Sequence, residues 1–332
     1  DIEVIKDDGG AAAGWYQQAI YFDPKNPDGY FKYASIYRGR SPEEAVSKLE
    51  DLRTQRPDIA VDALAARIYY SSNRFDKAIE SYEKVDRSKL DNTDLTNYAM
   101  AAYLKQDFKK SLDVSAYGTQ KDPRKAAFNR LAFFNSTDLK DYPTALKYAD
   151  ALFNKSDSAK FSYLDYTYYG HAFMGVKQYD NAIAQFKKAL AENIERKEIH
   201  ADVLKQISDA YEAKGSITEA VTTYNDYLKD LPKVTASDLA GLGTLYTEQA
   251  DKLTGAAKTD AYKNADKVYA DLSEQFPAAV EFAYFMRARV NSYMDPETKT
   301  GLSKPYYEKL AELINAKAEK DNTDNTRLIE CY

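Results

Sequence analysis

Residues 166–189, YTYYGHAFMGVKQYDNAIAQFKKA, set large rings beside nearly absent side chains at helical spacing. Tyr166, Tyr169, Gly170 and Phe173 lie three or four positions apart, so on a helix they form one stripe. Ala182, Phe186 and Ala189 repeat that stripe on a second helix, with Val176-Lys177-Gln178 as the turn between. Gly170 and Ala182 decide the reading. Two helices approach closely only where one presents almost no side chain, and large rings then fill the neighbouring gaps.

The same unit recurs on both sides. Downstream it returns as Leu204, Ile207, Ser208, Tyr211, Gly215, Ala220, Tyr224 and Pro232. Upstream it reads Tyr30, Tyr33, Ala34, Tyr37 with Ala45, Leu49, Leu52 and Pro57, then Ala65, Ala66, Tyr69 with Ala78 and Tyr82. A third copy has Leu95, Tyr98, Ala99 with Ser111, Ser115 and Pro123. Pro24 to Pro57 is 33 residues and Pro57 to Pro123 is 66, with Leu90 at the midpoint. Proline ends helices, so a stop recurring at this interval means a two-helix unit repeated along the chain. Ser41-Pro42-Glu43-Glu44 is a helix start with a capping serine, proline in the first turn and acids at the positive end.

This pattern resembles the tetratricopeptide repeat family, most closely at 166–189 and in the unit that follows. The resemblance implies an all-α fold, a right-handed α-α superhelix or solenoid of about eight such helix pairs. The units then run 25–57, 58–90, 91–123, 124–160, 161–196, 197–232, 233–277 and 278–320 of a single array over 1–332. Ala12, Tyr16, Ala19 and Pro24 fit the second helix of a truncated repeat over 1–24, and 321–332 reads as the start of another. Both ends therefore read as cut. Two departures stand out: a crowded Phe128, Phe133, Phe134 in the fourth unit, and about ten extra residues between Tyr246 and Ala265, read as longer helices around a Gly255 turn.

Composition limits the function. Thirteen Gly and ten Pro are few for a turn-rich β protein, and 29 Tyr suit thin cores close to solvent. Net charge is −6 with Lys and Arg scattered among acids, which excludes the clustered positive surface of a nucleic-acid binder. One cysteine, Cys331, leaves no disulfide framework or cysteine zinc cage, and no apolar run approaches a transmembrane segment. His171 and His200 have no partner at metal-ligand spacing and read as packing or surface residues. Carboxylate pairs such as Asp7-Asp8, Glu43-Glu44 and Asp209 with Glu212 read as a solvated face, and Asp295–Gly301 lacks the alternating oxygens of a calcium loop. No catalytic residues, metal or cofactor are expected.

Stacked helix pairs curve, and their first helices line the inner side. The candidate partner-binding residues are those off the packing stripe on first helices. They are Phe31, Arg38, Arg67, Tyr70, Met100 and Tyr103 in the early units, then His171, Met174, Lys205, Asp209, Glu212, Glu248 and Arg287. Tyr and Arg most often anchor interfaces, although Tyr70 and Tyr103 adjoin the stripe and can equally complete the core. The Lys/Asn set with which some members of the family hold a partner's C-terminal carboxylate is not found. The expectation is a non-catalytic scaffold for an unidentified protein or peptide. Glycan capture and service as the recognition arm of a larger enzyme compete with it. Asp295–Lys309 resembles a segment of secreted bacterial envelope repeat proteins, which implies a periplasmic or cell-envelope location, with cytoplasmic the alternative.

Overall fold

Alanine is the commonest residue between the proline and Asx stops and lysine is abundant there, and both lose little on entering a helix. A computed structural model describes residue 4 and residues 8–332, which places Asp7 outside the described residues. Among them it shows 18 α-helices, two single turns of 3₁₀ helix and no strand.

The chain divides into two compact units, Asp1–Lys160 and Phe161–Tyr332. The first holds α1 (Gly9–Phe22), α2 (Pro27–Tyr37), α3 (Pro42–Gln55), α4 (Val61–Ser71), α5 (Phe75–Glu83), α6 (Asn92–Leu104), α7 (Phe108–Lys121), α8 (Ala126–Asp138) and α9 (Tyr142–Lys155). Each helix packs on its chain neighbours, and the first helices α4, α6 and α8 also touch one another in series. The second unit holds α10 (Tyr163–Gly175), α11 (Tyr179–Ala191), α12 (Lys197–Lys214), α13 (Ile217–Asp230), α14 (Ala236–Lys252), α15 (Gly255–Gln275), α16 (Val280–Met294), α17 (Lys304–Asn315) and α18 (Asn322–Cys331), again packed in chain order. The fold is an all-α stack of helix pairs.

Five of the turns between paired helices share one device. Asn73, Gln106, Lys140 and Lys177 all adopt positive φ, between 58° and 61°, and Gly215 fills the corresponding place at 87°. The left-handed residue reverses the chain while its neighbours close the preceding helix's carbonyls, as where Arg74 N–H bonds the Tyr69 carbonyl at 2.8 Å.

The signature stretch forms the close contact its sequence implies, with one change of partner. A Cβ added to Gly170 would lie 2.3 Å from a ring carbon of Phe186, so the ring four residues past Ala182 occupies the missing side chain's space. Tyr169 and Phe173 stack at 4.7 Å and stay half-buried, while Thr167, Gly170 and Ala172 are the buried positions beside them. Tyr hydroxyls favour the wet edge of so thin a layer. Ser41 corrects a detail: it is the residue before α3, but its side chain makes no capping bond, its backbone standing at φ −145°, ψ 76°. The extra residues after Tyr246 lengthen α14 and α15 to 17 and 21 residues, with Gly255, at positive φ, opening α15.

Candidate functional site

In the first unit, α2 and α4 lie one repeat apart and leave a recess of about 160 Å³ between their outward faces. Phe31, Arg38 and Arg67 converge on its rim, and Ala34, Leu64 and Ile68 form its floor. Phe31 keeps 36% of its surface exposed, unusual for phenylalanine, because the stripe Tyr30, Tyr33, Ala34 already fills the core side of α2. Arg38 ends α2 and carries no ion pair among the described residues.

Arg67 is placed differently. Its Nε and Nη2 donate to the two oxygens of Asp94 at 2.6 and 2.8 Å, and Nη2 also reaches Asp91 at 2.8 Å. The Asp94 side chain is only 3% exposed, so the pair ties α4 to α6 from below while the rest of the guanidinium borders the recess. Asp94 escaped the sequence reading, although Asp91-Asn92-Thr93-Asp94 ahead of an apolar run is a helix-start signal that marks it. Tyr70, Met100 and Tyr103 pack half-buried against the core instead of rimming the recess. The Tyr70 and Tyr103 rings sit 5.8 and 5.7 Å from Phe75 and Phe108.

In the second unit His171 keeps exposed surface but sets its ring edge-on to Phe186 at 5.3 Å, and burial holds its pKa below the ordinary value. Met174 packs half-buried against the core beside it. His200 pairs with Asp230 at 2.6 Å, joining α12 to α13. Arg287 is enclosed: its side chain, 17% exposed, bonds Asp266 at 2.9 Å and lies 4.4 Å from the Tyr306 ring centre. A guanidinium so enclosed holds α15, α16 and α17 together and offers little to a partner.

Lys205, Asp209, Glu212 and Glu248 gather on α12 and α14. Lys205 bonds Asp209 and stands 5.2 Å over the Tyr224 ring. The Glu212 carboxyl is pushed above its usual range by burial first, then by the charges of Glu248 and Asp209. A raised carboxyl pKa means the folded state holds the proton more tightly. Its contribution to stability is complete below the unfolded value near 4.5 and is lost as pH rises through the folded value. Glu212→Gln, which keeps the neutral form, is therefore expected to raise the melting temperature at pH 7 by about 1–2 °C. Thermal denaturation repeated at pH 4 should show that gain vanish; an equal gain at both pH values would remove the charge explanation.

Helices stacked in consecutive pairs define a helical-repeat protein. Among the described residues, no group of three or more His, Cys, Asp or Glu could hold a metal ion, and no helix is long and apolar enough to cross a membrane. Residues 63–92 match the tetratricopeptide repeat family, and the chain has the fold of tetratricopeptide-repeat proteins. The C-terminal part of a TPR repeat-containing protein from Cytophaga hutchinsonii is similar at a TM-score of 0.54 and 24% identity, over 71% of this chain and 84% of that one. MamA from Desulfovibrio magneticus aligns at 0.39 and 16%, over 60% and 92%. The Cut9–Hcn1 hetero-tetramer aligns at 0.41 and 15%, over 84% and 52%. No curated protein matches the chain. The fold is one typical of protein–protein interaction scaffolds.

Proposed function

We propose that this protein is a non-catalytic scaffold of the cell envelope that grips a protein or peptide on the first-helix face of its first unit. The observation that carries the reading is the recess between α2 and α4, where exposed Phe31 and unpaired Arg38 flank an apolar floor. An apolar side chain fits the floor, and an acidic neighbour on the same partner meets the guanidinium, a pairing that commonly supplies most of an interface's energy. The envelope location rests on the resemblance of Asp295–Lys309 alone.

The test compares capture from native envelope extract by wild type and by Phe31→Ala/Arg38→Ala. Neither side chain holds a core contact or ion pair, so the variant should melt with wild type. One partner enriched by wild type is expected to bind the variant about tenfold more weakly or worse. Equal retention by both would move the binding surface elsewhere.

A further inference from the structure

A second cleft of the first unit lies where the end of α5 meets α6 and the start of α7. Helix α5 has 9 residues where α3, α7 and α9 have 14. It stops at Glu83, and a 3₁₀ turn at Arg87–Lys89, opened by Asp86 accepting from Ser88 N–H, carries the chain to buried Leu90. The missing helix turn leaves about 670 Å³ between the end of α5 and the start of α7, a volume within the range of small-ligand sites.

The lining can be sorted by unused hydrogen-bonding capacity. Every carboxylate on the rim is engaged. Glu83 accepts from Lys110 at 2.6 Å, Asp113 accepts from Arg87 at 2.6 Å, and Asp107 caps α7 through Lys110 N–H at 3.0 Å. Two donors are not engaged. Lys109 lines the cleft with no partner for its ammonium among the described residues. Tyr98 is 5% exposed and stacked on Tyr82 at 5.3 Å, and its hydroxyl bonds nothing among them. The charges felt by that phenol are those of Glu83, Lys110, Arg87 and Asp113, all on the rim, which puts the hydroxyl in the cleft. The hydroxyl opens on the cleft as a donor that nothing in the protein uses, and a ligand acceptor can take it.

We propose that this cleft is a second binding site and takes a carboxylate, which accepts from the Tyr98 hydroxyl and the Lys109 ammonium. A neutral polyol would leave the Lys109 ammonium without a counter-charge. A phosphate would set two charges against three rim carboxylates with one unpaired cation to offset them. A single carboxylate matches one cation and one neutral donor. Its source is either a free dicarboxylate or an acidic side chain of a partner polypeptide.

Isothermal titration of the full chain with glutarate, and with acetylated and amidated Ala-Glu-Ala-Glu-Ala, separates the two sources. Binding of either probe is expected at micromolar to millimolar concentrations. Tyr98→Phe and Lys109→Gln should each weaken it about tenfold, while Tyr98→Phe melts no lower than wild type because its hydroxyl bonds nothing in the protein. Binding by glutarate alone assigns a small-molecule ligand, and binding by the peptide alone assigns a partner side chain. The proposal falls if neither probe binds at millimolar concentration. It falls too if Tyr98→Phe binds as wild type, or if the glutamine version of the peptide binds as well as the acidic one.

Discussion

A Gly170→Leu chain is expected to unfold roughly 6–12 °C below wild type, from about 3 kcal/mol of lost stability at 2–4 °C per kcal/mol for a unit of this size. The cause is local. Even a Cβ at position 170 would stand 2.3, 2.5 and 2.6 Å from three ring carbons of Phe186, closer than real Cβ atoms come. Phe186 cannot swing clear, because it is 1% exposed and sealed in by Ala182, Ala189 and Val203 of its core cluster. Either α10 lifts from α11 or the ring leaves its rotamer, and both disturb the stack on each side. Gly170→Ala should fall between wild type and leucine. Gly170→Leu/Phe186→Ala should recover part of the loss, since the leucine then occupies vacated space. A Gly170→Leu protein melting with wild type would show that the contact is not what holds these helices. The same device recurs at Gly118 against Phe128 and at Gly243 against Tyr269, each with a Cβ position 2.5 Å from the ring.

Gly170 also shows how far the sequence reaches. A near-absent side chain on a helical stripe announces a close approach, and the proline interval announces its repetition, so the helix pairs are legible from spacing alone. Which ring fills the gap is not, because Ala182 and Phe186 lie on one face of one helix and only the crossing of α10 and α11 chooses between them. The turns divide in the same way. Gly215 advertises its left-handed conformation, whereas Lys140 and Lys177 adopt it with no mark in the sequence. Site residues follow this rule more strictly. Phe31 and Arg38 could be placed by their offset from the stripe. The partners of Arg67 and Arg287 stand 27 and 21 residues away, and charge neutralisation across repeats is a tertiary property. The cleft beside Tyr98 was hidden for a related reason: it exists because α5 stops early, and helix ends are the feature that pattern fixes least.

Arg67→Ala is expected to cost about 2–3 kcal/mol, although Arg67 looks from the sequence like a surface contact residue. Asp94 is the reason. Its carboxylate is almost wholly buried, and without the guanidinium it would keep only the Tyr82 hydroxyl at 3.4 Å among the side-chain donors described for it. Leaving a buried charge without its partner is more damaging than a surface deletion. The Arg67 side chain is itself 42% exposed, which sets the cost below that of a fully enclosed pair. Arg67→Lys should restore only part of the loss, since an ammonium cannot span both oxygens of Asp94. Removing the carboxylate as well separates charge from packing. Arg67→Ala/Asp94→Ala should be less destabilised than the sum of the two single changes. Thermal melts of the four proteins decide this, and additive losses would mean that the two side chains act independently. The cycle bears on function as well, because partner binding lost in Arg67→Ala could reflect a loosened junction between α4 and α6. Arg38→Ala breaks no ion pair, so a binding loss there without a change in melting isolates the recess as the contact surface.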